Sequence, residues 1–291
     1  MRQGPSTSRL YLLALSGILL LPSLAAGFAP LDEDNRKAGL TALLAGGFGS
    51  EELEVQPSLE TAPRGSRKAL ALQRFFAFQS DDWEVRWDTR GDRPNLIQGA
   101  GIPLLPGKGN RLAAADLKLA HEGGPDLKDV EARVRAFLAD FPELLNVSDF
   151  DLRLDPASSL NTGELWLVEL QQFHRGVPVE GAKVFFRINN GNVVQLGAER
   201  VAEVRTGATP RIDRAAALAA SVQALGFRVE ELGEIVDPGT LKFVPALTAG
   251  ERPAETYEGA RGQGYRHYLV WEVTFRRAGD PATWQAKVDA R

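Results

Sequence analysis

The sequence predicts an α+β protein made of two consecutive units, each with one helix packed on an antiparallel meander, preceded by a β-rich lead-in. A capped amphipathic helix pattern occurs twice, after Asp126 and after Asp213. Each is followed by short runs in which apolar and polar residues alternate, as in half-buried strands. The chain also contains 29 Gly and 17 Pro, which is typical of strands joined by tight turns.

Composition places the chain among globular proteins and excludes several functional classes. Hydrophobic residues make up 44% and charged residues 25% of the 291, as in ordinary packed domains. The formal net charge is −4 and no basic run is present, which argues against nucleic acid as a partner. The cysteine count is zero, so a disulfide framework, a thiol nucleophile and a cysteine-ligated zinc site are excluded.

Residues 1–26 are predicted to be a secretory signal peptide. Two arginines precede an apolar stretch from Leu10 to Leu21, and small residues suited to cleavage follow at Ala25 and Ala26. The alternatives are an uncleaved membrane anchor, although the stretch is short for a span, and a lipid-free N-terminal helix. Cleavage predicts a secreted, extracellular chain with no membrane contact afterwards, which passes through the periplasm in a Gram-negative host. Residues 27–68 are predicted to be a partly disordered linker.

Residues 69–114 are predicted to be the β-rich lead-in. Phe76 and Phe78 alternate with other residues, and Asp81-Asp82 indicates a turn. A second strand is predicted from the alternating residues Trp83, Val85 and Trp87. Together they predict a hairpin that packs on the next domain.

Residues 115–204 are predicted to be the first helix-and-meander unit. Asp126 is a suitable helix N-cap and Pro142 ends the helix. One helical face carries Leu127, Val130, Val134, Phe137, Leu138 and Phe141. Four strands are predicted after it, with turns at Arg175-Gly176 and over Asn189 to Asn192, because Asn and Gly tolerate positive φ.

Residues 205–291 are predicted to be the second unit. Asp213 caps a helix that ends at Gly226. Short strands are predicted over 227–232 and 241–244, followed by a Gly- and Glu-rich loop over 247–264. Two further strands are predicted around Trp271 and Trp284.

Two stretches resemble known protein families. Residues from about 115 to 204 resemble the fungalysin/thermolysin propeptide domain, through a glutamine-containing hairpin that matches a GVPV-x-G pattern. Residues from about 208 to 291 resemble the PepSY domain, through Thr209 to Asp213, the strand from Leu269 to Val273, and the ending Val288-Asp289-Ala290. The motif residues of the first family are Gln172, Gly176, Val177, Pro178, Val179, Gly181 and Gly191.

The resemblance implies a fold, a function and a partner. Both families are cystatin-like, and their domains precede a zinc endopeptidase, assist its folding and keep it inactive until cleavage. The chain is then a non-catalytic propeptide whose partner is a metalloprotease catalytic domain. Zinc is expected only in that following domain, and no cofactor is expected in this chain. The family pattern continues beyond Arg291, so the candidate protease-contacting segment is Val288, Asp289, Ala290 and Arg291.

The sequence carries no recognisable catalytic constellation, and no catalytic or metal-binding residue is predicted. A zinc protease of this type needs His-Glu-x-x-His on a helix. His121-Glu122 is instead followed by two glycines and Pro125, and the other histidines are distant, at His174 and His267. No Gly-x-Ser-x-Gly elbow or phosphate-binding loop is present. The chain is therefore predicted not to be an enzyme.

A different function class stays open. The runner-up is a stand-alone secreted protease inhibitor or binding module, built from the same two domains, that acts in trans. The discriminating observation is whether a protease follows in the same reading frame.

Overall fold

The computed structural model describes residues 10–13, 53, 55–61, 67–79, 83–117, 124–226, 228–248, 251 and 256–291. The predicted signal peptide and linker lie outside these residues except for the short stretches just given. The chain divides into two compact units. The larger comprises Val55–Arg205 and Pro245–His267, and the smaller comprises residues 1–54, Thr206–Val244 and Tyr268–Arg291.

The described residues of the larger unit include eight strands and four helices. The strands are β2 (Leu59–Glu60), β3 (Trp83–Asp88), β4 (Arg93–Pro103), β5 (Asp151–Leu154), β6 (Leu160–Asn161), β7 (Leu165–His174), β8 (Val177–Asn189) and β9 (Asn192–Glu199). The helices are α1 (Arg67–Gln79), α2 (Ala114–Leu117), α3 (Leu127–Asp140) and α4 (Pro142–Leu145).

The sheet of the larger unit has the order β7-β8-β9-β4-β3-β2, with β5 and β6 on the far side of β7. The pairs β7–β8 and β8–β9 are the hairpins that the turn residues predict. Strand β9 then pairs with β4, with Leu196 opposite Ile97. This pairing joins segments about a hundred residues apart in sequence and makes the lead-in strands part of the same sheet.

The core of this unit lies between one face of the sheet and the helices. Helix α3 begins after Asp126, whose carboxylate accepts hydrogen bonds from the Lys128 and Asp129 amides, as the capping signal predicts. Its buried residues pack with strand residues in one core cluster, and they are Val130, Val134 and Phe137. Pro142 ends α3 and also begins α4, because proline is well suited to the first position of a helix.

The strand predicted through Phe76 is wrong, because these residues form α1. Leu72 and Phe75 are buried, and Phe76 is partly buried against the same core. The spacing of these residues matches one face of a helix. The Phe75 ring lies 5.3 Å from the ring of Phe141, between centroids. The alternation of Phe76 and Phe78 was therefore part of a helical pattern.

The predicted fold class, two cystatin-like units each with a helix on an antiparallel meander, is wrong. The protein is mostly large β-sheet with few helices, 42% strand and 21% helix. In the larger unit the meander does not close on itself, because β4 occupies the edge of β9 that a self-contained meander would leave open. Periodicity finds strands but does not reveal a partner distant in sequence.

The smaller unit contains α5 (Arg214–Ala224), a 3₁₀ turn (Val229–Glu231), β10 (Leu232–Ala246), β11 (Arg266–Arg277) and β12 (Thr283–Asp289). β10 belongs to this unit up to Val244 and β11 from Tyr268. The strand predicted over 227–232 is wrong, because Val229–Glu231 form the 3₁₀ turn and β10 begins only at Leu232, whereas the strand predicted over 241–244 is the end of the longer β10. β12 pairs with β11 and also with β1 (Leu10–Leu13). Asp213 caps α5, whose Val222 packs on Val273 and Phe275.

Two glycines turn the hairpins of the larger unit, but their surroundings differ. Gly176 and Gly191 both have positive φ, at 82° and 77°. Around Gly176 a β-carbon would meet nothing within 4 Å, whereas at Gly191 it would lie 2.3 Å from the Leu105 carbonyl oxygen. The Gly191 carbonyl accepts hydrogen bonds from the Leu104 and Leu105 amides, so the β8–β9 turn is packed directly against this segment.

Gly191→Ala is expected to destabilise the larger unit more than Gly176→Ala. Positive φ costs each alanine variant about 1–2 kcal/mol. Only the Gly191 variant adds a steric clash with backbone, which brings its loss to about 2–5 kcal/mol. Urea unfolding of both variants measures the difference, and equal losses would contradict the close packing of this turn.

Candidate functional site

The hairpin β7–β8 carries most of the motif residues and is fixed by two consecutive glutamines. Gln172 is buried, and its side-chain amide donates to the Ala202 carbonyl at 2.8 Å and accepts from the Ala202 amide at 3.2 Å. The side-chain amide of Gln171 donates hydrogen bonds to the backbone carbonyls of Val179 and Ala182 on the opposite strand. The bonds of Gln172 fix the segment after β9 against the hairpin. Gln172 therefore positions this segment relative to β7 and β8.

The other motif residues shape the hairpin backbone. Val179 is fully buried, and Val177 and Pro178 are partly buried. Gly181 has a φ of 67°, and a β-carbon there would lie 2.9 Å from Nη1 of Arg200. The glycine therefore lets the Arg200 guanidinium lie close to the hairpin.

A polar crevice opens on the face of the β7–β9 sheet opposite the core. Its volume is about 470 Å³, within the range of small-ligand sites. The charged residues on its walls are Asp155, Glu169, Glu199, Lys183 and Arg200. Gln56, Pro57, Asn95, Ser158, Gln171 and Gly181 complete the lining. The crevice thus draws on the chain before β2, on β4, on the loop after β5 and on the β7–β9 region.

Glu169 is the most strongly engaged charge in the crevice. Its two carboxylate oxygens lie 2.8 Å from Lys183 Nζ and 2.7 Å from Arg187 Nη2. Burial raises the pKa of Glu169, but hydrogen bonds from Lys183 and Arg187 outweigh burial and lower the pKa below its ordinary value. Lys183 also lies 3.6 Å from Glu199. The charge of Glu169 is therefore compensated by two cations, and its ion pairs hold Lys183 and Arg187 at the crevice wall.

A second polar cluster is buried around the Asp88 carboxylate. Asp88 is 1% exposed and accepts hydrogen bonds from the amides of Ser58, Arg90 and Gly91 and from the Tyr265 hydroxyl at 2.7 Å. Burial raises the pKa of Asp88, while these four donors oppose that effect. Burial also raises the pKa of Tyr265. Because its two oxygens accept hydrogen bonds from four donors, the carboxylate holds these segments of the larger unit together.

Arg90 extends this buried cluster to the segment before β11. Its Nη1 lies 2.6 Å from Glu251 Oε2 and also donates to the Gly264 carbonyl. The tripeptide Arg90-Gly91-Asp92, which resembles an adhesion motif by composition, forms a buried turn with Arg90 only 1% exposed. The Arg90 side chain of this tripeptide therefore stabilises the larger unit through its bonds to Glu251 and Gly264.

The candidate protease-contacting segment at the C-terminus lies largely within the smaller unit. Val288 and Ala290 are fully buried. The Ala290 amide donates to the Leu269 carbonyl, and its carbonyl accepts from the Arg211 amide. Asp289 is partly buried and Arg291 is exposed, so these two side chains are the accessible part of the segment.

The smaller unit exposes apolar residues at the start of β10. Val229, Ile235 and Val236 are 55%, 46% and 50% exposed. Ile235 and Val236 are consecutive in a strand, so their side chains point to opposite faces. This stretch therefore presents apolar surface on both faces, a feature associated with protein contacts.

The described residues hold no metal-type cluster of three or more His, Asp or Glu side chains. His121 and Glu122 lie outside them. In that part of the chain, no helix has the length and apolar character of a membrane span. His174 and His267 both belong to the larger unit, and His267 is buried.

Sequence reasoning missed the crevice and the Asp88 cluster. The crevice assembles from four segments, so no local pattern contains it. For Asp88 a local signal existed, because an aspartate shortly before a glycine commonly accepts hydrogen bonds from the following turn. The burial of this turn and its bond to Tyr265 depend on residues far along the chain.

Comparisons with known proteins identify no family for this chain. No protein-family model matches it, and no curated protein matches it. The resemblance to the fungalysin/thermolysin propeptide and PepSY domains stays a prediction.

Replacing Asp88 is expected to destabilise the larger unit. Asp88→Asn leaves one acceptor oxygen for four donors, with a loss of about 2–4 kcal/mol. Tyr265→Phe removes only one bond and is expected to cost about 1–2 kcal/mol. Urea unfolding ranks the two variants, and an Asp88→Asn chain as stable as the unchanged protein would refute the central role of this carboxylate.

Acid is expected to weaken the fold through His267. Burial, and secondarily the charge of nearby His174, lowers the pKa of His267 from 6.5 to about 4. Between these values the unfolded chain binds a proton that the folded chain does not, so the free energy of unfolding falls as pH falls from 6.5 towards 4. The loss from this group amounts to about 3 kcal/mol.

The measurement is the pH dependence of urea unfolding for the unchanged chain and for His267→Gln. The variant lacks the titrating imidazole, so its stability is expected to change less between pH 6.5 and 4. His174→Gln is the comparison variant: His174 is partly buried and contributes to the lowered pKa of His267, so this variant is expected to reduce the pH dependence less than His267→Gln does. Identical slopes for the unchanged chain and His267→Gln would rule out this effect.

Proposed function

We propose that the chain is a secreted, non-catalytic propeptide-type module that binds the catalytic domain of a zinc metalloendopeptidase. In this role it assists folding of the protease and inhibits it until cleavage. The hairpin β7–β8 supports the proposal, because the motif residues on which the resemblance rests fix the shape of this hairpin. Gln172 anchors it, and Gly176 and Gly181 shape its backbone.

Surface properties of the smaller unit support a protein partner. Val229, Ile235 and Val236 expose apolar area around the start of β10. Glu234 and Arg276 form an ion pair close by, with oxygen and nitrogen 2.6 Å apart. Apolar groups surrounded by charged side chains are the usual composition of a protein-binding patch.

Binding provides a physical route to both activities. A preformed surface that binds the folding transition state of a large protease lowers the barrier to its folding. Inhibition follows when the same bound module prevents substrate from reaching the active site. Neither activity requires a catalytic group on this chain.

The first test is the reading frame after the codon for Arg291. Continuation into a domain with His-Glu-x-x-His is expected, and that domain is then refolded from denaturant with and without the full chain. We expect a higher yield of folded protease and inhibition of its peptide hydrolysis. Hydrolysis and refolding unaffected by the chain would overturn the proposal.

Ile235→Ser with Val236→Ser provides a sharper version of the same assay. Both side chains are about half exposed, so the double variant is expected to keep its fold while inhibition weakens by about tenfold or more. Leu160→Ser, an exposed apolar position in the larger unit, is the matched control and is expected to inhibit normally. A stop codon directly after Arg291 would instead exclude action in cis.

A further inference from the structure

The polar crevice contains donors that the protein itself leaves unused. The Asn95 side-chain nitrogen is buried and has no hydrogen-bond partner. Among the described residues, the Arg200 guanidinium forms neither an ion pair nor a hydrogen bond, although it lines the same crevice. The Asn95 nitrogen is the costly one, because a buried donor loses its bonds to water without replacement, whereas Arg200 is only partly buried.

The backbone holds Arg200 in an unusual conformation at this place. Its φ is 50°, a region that non-glycine residues seldom occupy and that is concentrated at functional sites. Gly181 provides room beneath the guanidinium, since a β-carbon there would lie 2.9 Å from Nη1. Two local features thus combine to keep the guanidinium over the crevice.

The charge balance of the walls indicates which ligand these donors suit. Glu169 is neutralised by Lys183 and Arg187, and Lys183 also lies near Glu199. Of the two cations in the lining, Arg200 is thus the one that forms no ion pair with a described residue. The lining holds the carboxylates of Asp155, Glu169 and Glu199 against two cations, so a singly charged carboxylate beside Arg200 adds less excess negative charge than a dianionic phosphate does.

We propose that this crevice is a carboxylate-binding site for an extended peptide, with Arg200 and Asn95 as the donors. A guanidinium presents paired N–H groups that match a carboxylate, and such charge-assisted bonds are among the stronger ones in proteins. A volume of about 470 Å³ accommodates a few residues of peptide. The carboxylate comes either from an acidic side chain or from a peptide C-terminus.

The test uses the full chain and three synthetic peptides of the same length. One has a central glutamate and blocked ends, one has only alanines and a free C-terminal carboxylate, and a neutral one has a central glutamine and blocked ends. NMR titration follows the Asn95 side-chain amide and the Arg200 Nε–H group. We expect one or both carboxylate peptides to shift these signals and to bind at least about tenfold more tightly than the neutral peptide.

Matched variants distinguish recognition of the carboxylate by Arg200 from the effect of removing any positive charge from the surface. Arg200→Gln is expected to weaken carboxylate binding about tenfold or more, and Arg200→Lys to weaken it less. Arg205→Gln removes an exposed arginine that is already paired with Glu203 and is expected to leave binding unchanged. If Arg200→Gln fails to fold, Asn95→Ala takes its place, with an expected loss of several-fold.

Three results would overturn the inference. They are equal affinity for the glutamate and glutamine peptides, unchanged binding by Arg200→Gln, and tighter binding of inorganic phosphate than of either carboxylate peptide. The inference is independent of the proposed function, because peptide binding and protease inhibition are separate readouts. Loss of one without the other identifies which of the two is wrong.

Discussion

The larger unit depends on one buried carboxylate, that of Asp88. It bonds to the chain before β2 through Ser58, to the turn between β3 and β4, and to the segment before β11 through Tyr265. Burying a carboxylate is unfavourable unless donors surround it. Because the donors come from three distant segments, the charge is compensated only when all three are in place. The carboxylate therefore links local turn geometry to the assembly of the whole unit.

Local features of the fold were predictable from the sequence, because they depend on neighbouring residues. Asp126 and Asp213 cap helices as predicted, and positive φ at Gly176 and Gly191 marks two predicted turns. The β4–β9 pairing was not predictable, because nothing near Ile97 indicates Leu196 as its partner. The mistaken strand at Phe76 has another cause, since a short apolar run fits both helical and strand periods.

The candidate site likewise has one part that could be predicted from the sequence and one part that could not. The hairpin motif could be located from the sequence, but the function of each residue in it could not. Gln172 proves to bond to the backbone of Ala202, thirty positions along the chain. Arg200 and Asn95 carry no sequence signal at all, because an unused donor is defined by the absence of a neighbour. Such sites are found only after every polar group has been assigned its bonds.

The exposed start of β10 has a consequence for how the chain behaves at high concentration. Ile235 and Val236 expose apolar surface that favours association between copies of the chain. Acidic residues frame it at Glu230, Glu231, Glu234 and Asp237, and Pro238 follows directly. Charges and proline next to an apolar strand act as gatekeepers against aggregation. The same short stretch thus combines exposed apolar surface with charges that oppose its self-association.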